Sequence, residues 1–376
     1  MRQYLIILVL TFLFNFPSQA DHQNEPYAFN KHHKYKIDKS ENYHKFDFDL
    51  QDNDLSKKVA EQLKNKKTTN LVSYLLYEDG KIKIDQKTKS KYGKYYPSHS
   101  IGKSLVSVVT GYALCEGYIN HTVFDRIDYP TVADTLYENQ KFINLLNMTA
   151  GDQLYLGEMW GGIDSGMNSD GKNPNTIPLK KVMKKYFKDK PGEEPGVNYN
   201  YSAVVTNLIM NYVIYKTGDD WEKLLHKIFA EDAKVKNQVY FAKTLNKKVG
   251  NRKTGEYGRY SFYAQRDDYL RIGLMVMNHW NNDTCVGKYL KTIYENRVDK
   301  NKQSTNTESA SQYSHSYGGQ FHFDIVGLQD KKILAMDGFG GQQLIIDFDK
   351  KRIISVASTD RHYDWYEIVY KTLEKD

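Results

Sequence analysis

Ser100-Ile101-Gly102-Lys103-Ser104-Leu105-Val106-Ser107-Val108-Val109-Thr110-Gly111-Tyr112-Ala113-Leu114-Cys115 is the stretch on which the reading of this chain turns. Leu105, Val108, Val109, Tyr112 and Ala113 share one helical face, while Val106 and Leu114 lie elsewhere around it. A helix apolar on most sides is a central, buried one. Ser100 and Lys103 stand at its start, three apart and so neighbours on the helix surface. A serine hydroxyl attacks poorly until a base takes its proton. Lys103 can be that base only if its pKa falls well below about 10.4, as burial or a nearby cation can bring about. The free N–H groups of a helix start favour an anion at Ser100. The competing reading of the same four residues is a capping serine and a solvated lysine. A second Ser-x-x-Lys, Ser169 to Lys172, lies in Asn168-Ser169-Asp170-Gly171-Lys172-Asn173-Pro174, which reads as a loop.

Outward from this helix, residues 54–64 have helical spacing. Leu71 to Tyr77, Glu78-Asp79-Gly80 and Lys81 to Ile84 read as a hairpin, since Asp-Gly between strand-like runs is a hairpin turn. Helices are expected over Val204–Tyr215, Trp221–Phe229, Leu270–His279 and Trp365–Leu373, and strands over Tyr317–Val326, Leu344–Phe348 and Arg352–Ser358. This order predicts an α+β chain with a sheet assembled from both ends of the sequence and a helical insertion. The expected division is 51–119 and 256–376 for the α/β part and 120–255 for a mainly helical part.

The 376 residues suffice for a large core, and 40% hydrophobic with 26% charged residues indicate a globular bulk. The net charge of +7 is small against 53 basic and 46 acidic residues, and no basic block with interleaved aromatics implies nucleic acid. Arg2, the apolar run Tyr4–Phe16 and Pro17-Ser18-Gln19-Ala20 read as a secretory signal over residues 1–20. The run is shorter than the roughly 20 residues a spanning helix needs. The expected protein is therefore exported, periplasmic or secreted, without stable membrane insertion. Residues 21–50 read as an extension that packs on the surface or stays loose, its His32-His33 solvated and without further ligands at metal spacing. Neither metal nor cofactor is expected. Cys115, on the apolar helix, reads as a buried free thiol rather than half of a bridge with Cys285. Asn120, Asn147 and Asn282 each begin an Asn-x-Thr triplet.

Two further stretches can carry chemistry. Pro195-Gly196-Val197-Asn198-Tyr199-Asn200-Tyr201-Ser202 leads into a helix, and a phenol at such a junction can relay a proton. Asp337-Gly338-Phe339-Gly340-Gly341-Gln342-Gln343 enters a strand, and its glycines permit close approach of backbone to a ligand. Backbone N–H groups there can complete an oxyanion hole with that of Ser100.

Taken together, the three stretches resemble, in order and spacing, the serine β-lactamase and penicillin-binding-protein superfamily. The resemblance is to its branch of class C β-lactamases, D-aminopeptidases and carboxypeptidases, esterases and 6-aminohexanoate-dimer hydrolases. It is carried also by Ala113-Leu114-Cys115-Glu116-Gly117-Tyr118-Ile119 at the helix exit, Ile143-Asn144-Leu145-Leu146-Asn147-Met148-Thr149-Ala150-Gly151, and Tyr263-Ala264-Gln265-Arg266-Asp267-Asp268 with Ile272-Gly273-Leu274. The resemblance runs from about residue 70 to 360. It implies a β-lactamase/transpeptidase-like fold, an antiparallel sheet flanked by helices plus an all-helical region, with the site between them. It implies Ser100 as acylated nucleophile, Lys103 as base, Tyr201 as proton relay, and an oxyanion hole from the N–H groups of Ser100 and Gln342 or a neighbour. Phe339, Gly340 and Gly341 would edge the substrate site, and Tyr155 and Trp160 are candidates to line it, a core role being the alternative.

Two departures bear on substrate. Tyr-x-Asn in many relatives is Tyr201-Ser202-Ala203 here, which removes an amide that would bind substrate and orient the lysine. Lys-Thr-Gly or His-x-Gly is Phe339-Gly340-Gly341, which removes a cation for a substrate carboxylate. Losing a charge-assisted contact costs about 1.5–3 kcal/mol. Arg361 is a candidate to supply that charge. The sequence thus predicts a serine hydrolase of a small amide or ester, with short linear amides as the nearest analogy. The alternative is a penicillin-binding-like β-lactam or peptidoglycan sensor, or a D,D-peptidase or β-lactamase.

Overall fold

The structure, a computed structural model, describes residues 34–65, 69–89, 92–156, 179–243, 258–300, 308–359 and 361–375. The signal segment, His32-His33, Trp160 and the Ser169–Lys172 pair lie outside them. The strands are β1 (Lys34–Ile37), β2 (Asp47–Phe48), β3 (Leu71–Glu78), β4 (Lys81–Lys87), β5 (Tyr96–Pro97), β6 (Val239–Lys243), β7 (Gly258–Ala264), β8 (Val298–Asp299), β9 (Ser314–Gly318), β10 (Phe321–Ile325), β11 (Ile333–Gly338), β12 (Gln342–Asp347) and β13 (Arg352–Ser358). The helices are α1 (Asp54–Lys64), α2 (Ile101–Cys115), α3 (Phe142–Leu146), α4 (Gln153–Leu156), α5 (Leu179–Tyr186), α6 (Ala203–Thr217), α7 (Trp221–His226), α8 (Arg266–Asn281), α9 (Cys285–Glu295) and α10 (Lys371–Glu374).

Nine strands form one sheet in the order β2-β4-β3-β13-β12-β11-β10-β9-β8, antiparallel except for the β2–β4 pair. The N-terminal hairpin β3–β4 and the C-terminal strands meet where β3 pairs with β13, Leu76 opposite Ile354. Both faces of this sheet are covered. Leu75, Leu344, Ile346 and Ile353 join the core shared with α2 and α8, while Tyr74, Leu76, Ile345 and Ile354 join α1 and the C-terminal helical turn. Strands buried on both faces read as continuous apolar runs instead of alternating ones, which is why they stand out in the sequence. A second sheet, β1-β6-β7-β5, packs through β7 on α2. Residues 34–50, read as part of an extension, contribute β1 to one sheet and β2 to the other. Helix α2 is buried from Ile101 to Ala113 and packs against α6, β7, α9 and β11, as its apolar circumference requires. No helix among the described residues is long and apolar enough to cross a membrane.

Two expectations are corrected, and one triplet left open by the sequence is placed. Tyr317–Val326 is not one strand but spans a hairpin turn, because Gly319 and Gln320 take φ of 56° and 70° and turn β9 back into β10. Cys115 is bridged to Cys285 at a Cα separation of 5.8 Å, since α2 ends beside the start of α9. Asn147 is buried, donating to the Asn296 carbonyl (2.7 Å) and accepting from the Gly319 N–H (2.9 Å), so its triplet is structural.

Candidate active site

Ser100 occupies the N-cap position of α2 with helical φ and ψ of −73° and −11°, and its side chain makes no capping bond. The hydroxyl lies close enough to the Tyr201 phenol to lower that group's pKa. Ile101, Gly102 and Lys103 bond back to the Ser98, His99 and Ser100 carbonyls, whereas the Ser100 N–H has no acceptor among the described residues. Lys103 is not solvated: it is 2% exposed, and its Nζ lies 5.0 Å from the Tyr201 ring centroid and 3.7 Å from that of Tyr260. The capping-serine and solvated-lysine reading therefore fails on both residues. Burial pushes the Tyr201 phenol up to about 12, partly offset by the Lys103 charge and the Ser100 hydroxyl. The phenol is a proton-bearing group across the neutral range.

Tyr201 owes its place to the loop that precedes α6. Met148, with φ of 55°, turns the chain so that its carbonyl accepts from Asn200 N–H (2.7 Å) and its sulfur from Ser202 N–H (3.2 Å). Asp152 accepts from the Asn200 amide (3.0 Å) and the Tyr137 phenol (2.9 Å). Ser202 caps α6 by accepting from Val205 N–H. The Met148-to-Asp152 stretch and the tyrosine loop thus form one braced unit. Beside Tyr201 stand the rings of Tyr317 (6.0 Å) and His322 (6.5 Å, stacked).

The third stretch meets the Ser100 turn through Gly338. A Cβ there would lie 2.4 Å from the Ser98 carbonyl and 3.3 Å from His99, so only glycine lets the end of β11 pass so near Ser100. Phe339 is half-buried and sets its ring on His99 at 5.7 Å. Gly340 and Gly341 take positive φ and face Thr359 and Tyr363. Gln342 lies in register with Gly338, and its side-chain amide donates to the Tyr92 phenol (3.3 Å) and the Ser358 carbonyl. What Gln342 can offer an oxyanion is backbone alone. Tyr155 donates its phenol to the Pro191 carbonyl (2.8 Å) and so ties α4 to the chain ahead of the tyrosine loop.

Sequence reasoning missed a charged layer behind this turn. Burial alone would push the Asp337 carboxyl up, but Arg361, then His322 and Ser311, hold it below its ordinary value. Arg361 bonds Asp337 at 3.1 Å, and Ser311 N–H donates to the same carboxylate at 2.8 Å. Burial, then Arg361, holds His99 down to about 4, and burial, then Lys300, holds His322 down to about 3. Burial brings Lys300 to about 8, and its ammonium donates to Ser311 O and Ser314 Oγ, both at 2.7 Å. Asp337 opened the third stretch in the sequence; nothing there marked Tyr260, His322 or Tyr317 among 31 tyrosines and 11 histidines.

No protein-family model matches the chain, and no curated protein sequence resembles it. Solved structures do. A Bacillus anthracis protein assigned as a 6-aminohexanoate-dimer hydrolase superposes with a TM-score of 0.62 at 15% identity, covering 91% of this chain and 89% of the other. The hydrolase EstCE1, with promiscuous acyltransferase activity, gives 0.58 at 12% identity over 83% and 96%. A class C β-lactamase in complex with cefoxitin gives 0.54 at 15% over 85% and 98%. At these identities the likeness is one of architecture, and it agrees with the α+β arrangement described above. The chain has the fold of the serine β-lactamases and penicillin-binding proteins.

Proposed function

We propose that the protein is a serine hydrolase that cleaves a small amide or ester through an acyl-enzyme on Ser100. The observation that carries this reading is the meeting of three side chains: the Ser100 hydroxyl, spared from capping, the Tyr201 phenol whose pKa it lowers, and the buried Lys103 Nζ, 5.0 Å from the centre of the same phenol ring. Lys103 in its neutral form takes the Ser100 proton as Oγ bonds to the substrate carbonyl carbon. The carbonyl oxygen gains the electron pair and rests on the Ser100 N–H and a backbone N–H of the third stretch, Gln342 or a neighbour. Tyr201, which keeps its proton at neutral pH, gives it to the departing nitrogen or oxygen and recovers one from Lys103. Water then releases the acyl group along the reverse path.

The substrate reading follows from charge. Phe339 offers no cation, and Arg361 is engaged by Asp337 and the Gly338 carbonyl. A neutral acyl group, as in short linear amides and esters, suits such a site better than a β-lactam or a terminal D-alanine carboxylate. Ala203, which lacks the amide of many relatives, supports a second reading as a sensor that acylates without turnover. Export is part of the proposal: the signal-like residues 1–20 and the Cys115–Cys285 bridge both suit an oxidising compartment.

The test is intact-mass spectrometry with a fluorophosphonate probe, nitrocefin and p-nitrophenyl esters, wild type beside Ser100→Ala. The hydrolase reading expects a Ser100-dependent adduct, ester turnover and little nitrocefin hydrolysis. A stable adduct without turnover selects the sensor, and equal labelling of Ser100→Ala removes Ser100 from the chemistry.

A further inference from the structure

Tyr260 stands out among the groups around Lys103 because nothing in the acyl-enzyme reading uses it. Its ring centroid lies 3.7 Å from Lys103 Nζ, closer than the Tyr201 ring at 5.0 Å. Two features of the chain bring it there. Gly102, on the same turn as Lys103, would place a Cβ 2.0 Å from the Tyr260 carbonyl, so β7 lies directly against the start of α2. Asn207 on α6 is 5% exposed, and its side-chain oxygen accepts from the Tyr260 N–H at 3.3 Å. Asn207 is four residues beyond Ala203 and so on the same face of α6. An amide one turn beyond Ala203 thus holds the backbone of β7 at Tyr260.

We propose that Tyr260 is a positioning residue, its ring face holding the Lys103 ammonium, with Asn207 and Gly102 fixing the ring. The proposal rests on the acyl-enzyme reading. A cation over an aromatic face is stabilised by the ring quadrupole, most strongly where water is excluded. Lys103 becomes that cation as it takes the Ser100 proton, so the ring acts on the charge that develops during acylation. Among the described residues, the ionisable groups packed around this region are engaged elsewhere, uncharged or cationic. On β11 the Asp337 carboxylate is bound by Arg361, on β10 and before α2 the buried His322 and His99 are uncharged at neutral pH, and on β7 Arg259 is itself a cation. Tyr201 keeps its proton.

The experiment is the pH dependence of fluorophosphonate labelling of Ser100, from pH 5 to 10, in wild type, Y260L, Y260F and N207A, alongside lysine-selective ¹³C NMR titration of Lys103, assigned by its loss in K103R. Removing the ring face destabilises the ammonium, so Y260L is expected to move the Lys103 midpoint and the acid limb of labelling to lower pH by roughly one unit. The plateau rate should fall about tenfold with it, as expected for a displaced base. Y260F keeps a ring face and should return the midpoint to the wild-type value, and N207A should fall between. Thermal melts confirm that each variant is folded. A Y260L midpoint equal to wild type, or a Y260F midpoint that moves as far as that of Y260L, overturns the proposal. A wild type that never labels at Ser100 overturns the acyl-enzyme reading itself. That failure is distinct, since the NMR arm still reports whether the ring sets the state of the lysine.

Discussion

The Arg361 guanidinium lies along the Asp337 carboxylate, Nη2 to Oδ1 at 3.1 Å, with the Gly338 carbonyl 3.4 Å from the same nitrogen. The Asp337 side chain is 1% exposed, so its charge depends on this partner. Removing one member of a buried pair leaves an uncompensated charge. Arg361→Met is expected to lower the free energy of unfolding by about 2–4 kcal/mol in urea. Asp337→Asn combined with Arg361→Met should recover most of that loss. If the double variant is no more stable than the single one, the two residues are not coupled in this way.

Tyr201 is assigned the proton for the leaving group, and leaving groups differ in their need for one. A p-nitrophenolate departs without protonation, whereas the amine of an anilide does not. Tyr201→Phe should therefore slow anilide hydrolysis by about 10²- to 10⁴-fold and p-nitrophenyl ester hydrolysis by much less. Parallel kcat/KM values on the two substrate types check this, and an equal loss on both assigns Tyr201 a different role.

His99 and His322 are held neutral by burial, down to about 4 and about 3. Unfolded, each titrates near 6.5. Above that pH neither state binds the proton and their contribution to stability is fully present. Below it the unfolded chain takes up protons that the folded one refuses, so stability falls as pH drops from about 6.5 toward 4. At its steepest each histidine contributes about 1.4 kcal/mol per pH unit. Urea midpoints at pH 7, 6 and 5 should show this slope, and His322→Gln should remove one histidine's share. An unchanged slope in that variant would show that His322 charges freely in the folded protein.

Cys115 and Cys285 are 170 residues apart in sequence. Closing so long a loop restricts the unfolded chain, and the bridge is expected to contribute about 2–4 kcal/mol. Cys115→Ser with Cys285→Ser should melt lower than the oxidised wild type and match the reduced one. Alkylation of the unfolded, unreduced protein should find no free thiol.

Gly338→Ala tests how closely β11 passes Ser100. The added methyl would stand 2.4 Å from the Ser98 carbonyl, a backbone atom that cannot swing aside. Overpacking of this kind costs about 1–3 kcal/mol, and here the displacement falls on the turn that carries Ser100. Fluorophosphonate labelling should drop by more than tenfold while the variant still folds. Wild-type labelling in a folded Gly338→Ala protein would show that the two segments are not in close contact.

Much of this arrangement was legible because its signals are local. The continuous apolar runs of β3, β12 and β13 and the Asp79-Gly80 turn mark the sheet, and α2 declares itself by being apolar all round. Ser100, Lys103 and Tyr201 were placed together by their resemblance, in order and spacing, to a known family, since each stretch alone also fits an ordinary structural role. The misses are non-local. The Cys115–Cys285 bridge depends on where α9 returns to α2, and β11, unlike its neighbours, carries Asp337 and Gly338 at the end that nears Ser100. Tyr260 is one tyrosine among many until Gly102 opposite it shows why the strand can approach. The Asp337–Arg361 pair joins a stretch noticed for its glycines to a residue beyond the last strand, and only the register of β11, β12 and β13 brings them together.

That register has a consequence for shortened chains. Among the described residues, strand β13 alone joins the N-terminal hairpin to the strand pair that carries Gly338 in the large sheet. Without β13, β3 and β12 would each present an unpaired edge. Closure of the large sheet thus waits on the last strand of the chain, so the sheet is incomplete in any chain shortened before β13.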